Sequence, residues 1–176
     1  MRPNIFDIAT KELNQDAFIT WLLQFADDKF QSADQLLNKC GKTFVSQLIQ
    51  KQIPNFNETI TKVVAGRQWE NIDVWAEIND KYLIIIEDKT YTSHHSNQLQ
   101  RYKENSEKWC ANNNYEKPIC IYLKTGNESQ NSLNHVQQQG FSIFSRIDFI
   151  NLLTKRHQRI VILIAMSTDC PLKKLI

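Results

Sequence analysis

The sequence predicts a mixed α/β fold, a β-sheet built on an antiparallel meander and flanked by helices. Three observations carry this. Apolar residues recur at helical spacing towards both ends of the chain. Between them the period drops to two over residues 72–78 and becomes a continuous apolar run over 82–86. A second continuous run, 119–123, follows after a helical stretch. The order reads helix, helix, three strands, helix, strand, strand, helix, a layered arrangement of helices on a sheet. With 176 residues and 41% hydrophobic side chains, the chain has material for one domain with a buried core.

Each element has a local cause. Asn14 can cap a helix whose apolar stripe is Ala17, Phe18, Trp21, Leu22, Phe25 and Ala26. A second helix is expected to carry Phe44, Val45, Leu48 and Ile49 on one face, with Gly41 breaking the chain before it and Pro54 closing the helical region. Residues 59–64 are rich in β-branched side chains and predict a strand stopped by Gly66. Over 72–78, Ile72, Val74, Ala76 and Ile78 are expected on one face. Asn79, Asp80 and Lys81 then form a turn into the apolar run that starts at Tyr82. Residues 98–109 predict a helix, 119–123 and 141–144 two strands, and a last helix opens near Asp148 with Phe149, Leu152 and Leu153.

Composition excludes several chemistries. The only glycines are at 41, 66, 126 and 140, so no Gly-rich phosphate loop can be written. Cys40, Cys110, Cys120 and Cys170 form no C-x-x-C and stand near no His at zinc spacing, which predicts reduced thiols in a cytoplasmic protein. The start of the chain has no apolar signal-peptide core, and the aliphatic run 160–166 is far shorter than the roughly 18 residues that span a bilayer. The net charge of +2 is unevenly spread: residues 149–176 hold Lys155, Arg156, Arg159, Lys173 and Lys174 against Asp169. A basic end can favour nucleic acid, and it can equally be a solvated tail.

The informative feature is the end of the central strand, where Glu87, Asp88 and Lys89 follow Ile86 directly. Alternation puts Leu83, Ile85, Glu87 and Lys89 on one face and Asp88 on the other. If the turn is the three-residue loop 79–81, residue i pairs with 160 − i and Asp73 opposes Glu87. Directly opposed side chains have Cβ atoms about 4.5–5.5 Å apart. A two- or four-residue loop would instead send the two carboxylates to opposite faces. Like charges so close repel unless a proton or cation stands between them. A hard cation with oxygen ligands and retained waters suits such a pair, and Mg²⁺ is the natural candidate, able to acidify a bound water and neutralise charge on a phosphoryl oxygen. Lys89 can hold or help deprotonate that water. A lone Glu-x-Lys would be no more than a strand emerging into solvent. Here Gln98 and Tyr102 follow at i and i+4 on one helix face, with Arg101 and Lys103 adding positive charge.

Asp73, then Glu87-x-Lys89, then Gln98-x-x-x-Tyr102, in that order, resembles the PD-(D/E)xK nuclease superfamily, and the last element resembles its RecB-like branch. The phrases Ile-Glu-Asp-Lys and Gln-Leu-Gln-Arg-Tyr carry the likeness, and residues 11–23 resemble the opening helix of such proteins. Ile72 stands where the superfamily often has Pro. The resemblance implies a restriction-endonuclease-like fold and a Mg²⁺-dependent nuclease, with Mn²⁺ able to substitute and DNA favoured over RNA as partner. It implies Asp73, Glu87 and the Asp88 carbonyl as metal ligands, Lys89 as the residue that positions the water, Gln98 and Tyr102 as organisers of the site, and Glu12 beside the metal. Two cuts in a duplex would favour a homodimer. The alternative is a catalytically silent module of the same fold that binds nucleic acid or protein.

The likeness covers roughly residues 5–153, so 1–153 is expected to be the nuclease-like domain. The basic and apolar tail 154–176 is expected to add a strand, mediate an oligomer or mark a shortened chain. His94 and His95 are read as a solvated loop pair, Trp21 as core, and Trp75 as sharing the Asp73 face.

Overall fold

The computed structural model describes residues 15–89 and 98–154. Expectations placed on Asn14, Glu12, His94, His95, Cys170 and the tail beyond 154 lie outside the described residues. In chain order the elements are helix α1 (Gln15–Gln24), a 3₁₀ turn (Asp28–Phe30), helix α2 (Gln35–Gln50), strands β1 (Val63–Trp69), β2 (Ile72–Ile78) and β3 (Tyr82–Lys89), helix α3 (Gln98–Asn113), strand β4 (Ile119–Lys124), helix α4 (Gln130–Gln138), strand β5 (Ser142–Ser145) and helix α5 (Arg146–Thr154). The strands form one sheet in sequence order. β1, β2 and β3 pair antiparallel, whereas β4 and β5 add in parallel. This is the mixed sheet of a restriction-endonuclease-like fold, with helices on both faces.

The β2–β3 turn forms as expected. Lys81 N–H donates to the Ile78 carbonyl at 3.0 Å, and Asn79 and Asp80 take the left-handed φ values of 53° and 51° that their short polar side chains tolerate. Ile78 pairs with Tyr82 and Val74 with Ile86, so paired residue numbers sum to 160. The Asn79 amide also ties the approach to β1, accepting from the Thr61 and Lys62 N–H groups and donating to the Thr59 carbonyl.

Four expectations need correction. Strand β1 does not stop at Gly66 but runs through it, because glycine there makes room for the cross-strand indole: a Cβ would stand 2.8 Å from Trp75 Cε2. Helix α2 likewise runs through Gly41, which lets α1 approach. A Cβ at Gly41 would meet the Leu22 carbonyl oxygen at 2.6 Å and the Ala26 nitrogen at 2.7 Å. Between β4 and β5 an unexpected helix, α4, provides the crossover that parallel strands require. Lastly, Ile72 packs in a different cluster from Val74, Ala76 and Ile78, beside a β1–β2 connection where Gln68, Glu70 and Asn71 all have positive φ.

Two cores result, one on each sheet face. Against α1, α2 and α5 lie Val74, Ala76, Ile84, Ile86, Ile121 and Leu123, closed by Phe18, Trp21, Phe44 and Phe149. Against α3 and α4 lie Leu83, Ile85, Cys120 and Tyr122 with Leu99, Tyr102 and Val136. Cys40, Cys110 and Cys120 are free, buried thiols within these cores. Among the described residues no helix is long and apolar enough to cross a membrane.

Candidate active site

At the end of β3 the strand period separates three consecutive polar residues. Glu87 and Lys89 continue the face of Leu83 and Ile85, towards α3. Asp88 turns to the opposite face and meets α1. The β2–β3 register brings Asp73 alongside: the Asp88 backbone N–H donates to Asp73 Oδ2 at 2.9 Å. Lys89 Nζ stands 2.6 Å from Glu87 Oε1 and 3.7 Å from Asp73 Oδ2. Asp73, Glu87 and Lys89 therefore meet in one small space.

Glu87 is the unusual member. It is 1% exposed, and among the described residues neither of its carboxylate oxygens accepts a hydrogen bond, although the Lys89 ammonium lies within ion-pair distance of Oε1. A buried carboxylate left so is costly, and proteins rarely keep one without a use for it. Burial, and then the Asp73 charge, push the Glu87 carboxyl up to about 7 against the partial compensation of Lys89. Burial also pulls at the Lys89 ammonium, but Glu87, Asp73 and Asp88 outweigh it and hold the lysine above its ordinary range. Two neighbouring carboxylates, one accepting no hydrogen bond among the described residues, are hard oxygen donors suited to a divalent cation. Among the described residues no group of three or more His, Cys, Asp or Glu forms a ready-made metal cage. The donor set among the described residues is thus two carboxylates.

On the opposite face, the Gln15 amide donates to Asp88 Oδ1, and Gln15 Oε1 accepts from the Thr125 hydroxyl at 2.7 Å. Burial, then the charges of Asp73 and Asp16, push Asp88 up to about 8 against the help of Gln15. Asp16 in turn is paired with Arg67 of β1 at 3.3 Å.

Gln98 and Tyr102 are joined as their spacing suggests, with Gln98 Nε2 donating to Tyr102 Oη at 2.6 Å. The Tyr102 ring packs with Ile85 and Tyr122 in the cluster on the Glu87 face. Trp21 is core, whereas Trp75 covers Gly66.

Residues that the sequence did not single out complete the surroundings. β3 and β4 pair Glu87 with Tyr122 and Lys89 with Lys124. Tyr122 Oη donates to Glu128 Oε2 at 3.0 Å, Lys124 Nζ lies 3.3 Å from the same oxygen, and the Ser132 hydroxyl also donates to Glu128. Parallel register carries no local sequence signal, so nothing in the chain marks Lys124 as the neighbour of Lys89. Gln15 had a weak signal, standing one turn beyond Glu12 in the expected opening helix.

A family model described as the PD-(D/E)XK nuclease superfamily matches residues 3–167 of the chain. No curated protein matches it.

Proposed function

Because the chain belongs to the PD-(D/E)XK nuclease superfamily, we propose that it hydrolyses phosphodiester bonds of nucleic acid, DNA in preference to RNA, at the Asp73–Glu87–Lys89 cluster. The observation that carries this reading is Glu87, a buried carboxylate whose oxygens accept no hydrogen bond among the described residues, ion-paired with a lysine that also reaches a second carboxylate. Superfamily members typically use divalent metal ions. Here Mg²⁺, or Mn²⁺ in its place, would be held by Asp73, Glu87 and the backbone carbonyl of Asp88, and would supply a more acidic water and neutralise charge on the phosphate. Asp73 and Glu87 hold negative charge where that ion is needed. The Asp88 N–H orients the Asp73 carboxylate. Lys89 donates to the attacking water or to a phosphate oxygen, the placement of charge that most favours such reactions. Gln98 and Tyr102, bonded to each other, steady the helix that closes this face, in keeping with the RecB-like branch, to which we also assign the chain. Glu12 is the remaining acidic candidate of that reading.

The test is cleavage of single- and double-stranded DNA and of RNA by homogeneous protein, with and without Mg²⁺. Wild type is expected to cut only with the metal, and Asp73→Ala and Lys89→Ala to lose cutting by roughly 100-fold or more while keeping the wild-type circular dichroism. Full activity in either variant removes the mechanism. Tight binding without cleavage would favour a catalytically silent binding module.

A further inference from the structure

The lysine opposite Lys89 raises a question of charge. In a parallel pair the strands lie about 4.8 Å apart, and Lys89 and Lys124 are partners on one face. Like charges directly opposed destabilise a sheet. Each lysine is drawn to a different carboxylate: Lys89 to Glu87 at 2.6 Å, Lys124 to Glu128 at 3.3 Å. Lys124 is two residues along from Tyr122, the partner of Glu87. From strand spacing and rise, its Cβ lies about 8 Å from that of Glu87, within reach of an extended lysine chain. Glu87 has an oxygen to offer it, since among the described residues its Oε2 accepts no hydrogen bond.

Resting on the nuclease reading above, we propose that Glu128 is a positioning residue: it holds the Lys124 ammonium off Glu87, keeping that carboxylate for Lys89 and the metal. Three features support this. The Lys124–Glu128 pair is almost fully buried, with side chains 5% and 6% exposed, and buried ion pairs are weak contributors to stability that an apolar pair often matches. Glu128 is also fixed from two further sides, by the Tyr122 and Ser132 hydroxyls. Although burial alone would raise its carboxyl, those bonds and Lys124 bring it below the usual range, so it stays an anion able to retain a lysine. Finally, Tyr122, the cross-strand partner of Glu87, donates to the same Glu128 oxygen that faces Lys124, linking the retaining carboxylate to the site through one strand.

The experiment compares wild type, Glu128→Gln, Glu128→Asp and the double variant Lys124→Met/Glu128→Gln, by crystal structure and by calorimetric titration with Mg²⁺ in the absence of nucleic acid. In Glu128→Gln, Lys124 Nζ is expected to swing within ion-pair distance of Glu87 and Mg²⁺ binding to weaken about tenfold. Glu128→Asp, which keeps the charge, is expected to fall between this and wild type. The double variant, with no lysine left to restrain, is expected to bind Mg²⁺ as wild type does. A lysine that stays away from Glu87 in the Gln variant overturns the proposal. So does a double variant that remains as weak as Glu128→Gln, since Glu128 would then matter for the packing alone. If Glu128→Gln does not fold, the double and Asp variants decide by the same criteria. Cleavage assays on the same proteins separate the two layers: wild type that binds Mg²⁺ yet cuts no nucleic acid removes the nuclease reading, while the lysine position and metal affinity still decide the role of Glu128.

Discussion

The two faces of the sheet at the end of β3 carry adjacent acidic residues with opposite fates. Asp88, on the α1 face, is held by the Gln15 amide, which itself is held by Thr125. Glu87, on the α3 face, is 1% exposed but accepts no hydrogen bond among the described residues, and faces a second carboxylate and a lysine. One residue of strand phase decides which carboxylate is tied down as structure and which is left available. Burial of an acid therefore says little about its task. The identity of the groups that meet it says much more.

The sharpest way to break this comparison is to neutralise each acid in turn. Glu87→Gln is expected to lower metal-dependent cleavage by roughly 100-fold or more, whereas Asp88→Asn, which keeps the acceptor for Gln15, is expected to stay within about tenfold of wild type by the same assay. Equal losses would erase the distinction between the faces.

A second prediction concerns packing on the α1 face, remote from the reacting groups. Gly41→Ala forces a methyl against the α1 backbone and is expected to cost about 1–3 kcal/mol in urea unfolding, with cleavage by the folded fraction unchanged.

The third uses pH. Glu87 and Asp88 titrate near 7 and 8 in the fold, against ordinary values of 4.5 and 3.8. A carboxyl whose folded value is raised favours the fold while protonated, so its contribution is fully present below its ordinary value and lost as pH rises through the folded one. With chelator present, the melting temperature is expected to fall between about pH 4 and pH 8, the Glu87→Gln and Asp88→Asn variants each to flatten that slope, and Mg²⁺ to restore stability at the alkaline end. A wild-type melting temperature rising steadily over this range would contradict the raised values.

The smallest effect is expected at Tyr102→Phe, which removes only the acceptor for Gln98. A loss of about 0.5–1.5 kcal/mol in thermal unfolding and a minor drop in cleavage would mark it as a steadying residue.

Much of this was legible in the chain because it is local. The 79–81 turn sets the β2–β3 register, and with it the meeting of Asp73 and Glu87 and the departure of Asp88 to the far face. Gln98 and Tyr102 are joined by helix period alone. What stayed hidden depends on distant partners. Gly41 and Gly66 read as breaks because nothing in their neighbourhood announces the helix and the indole that crowd them. Helix α4 escaped because its nine residues hold only two aliphatic side chains, Leu133 and Val136, too few to show a period. Glu128 and Lys124 acquire meaning only once β4 is laid parallel to β3, a pairing that no short stretch of sequence specifies.

The β2–β3 hairpin also has a kinetic consequence. It carries Asp73, Glu87 and Lys89 within one antiparallel unit closed by a three-residue loop, and hairpins form in about 1–10 μs. The parallel additions of β4 and β5 close far longer loops and come more slowly. The reacting groups can thus assemble before the sheet is complete, and the repulsion between their carboxylates is felt during folding as well as afterwards. An element that brings two like charges together early is hardest to form where both are ionised, which links the speed of folding to the acidity of Asp73 and Glu87.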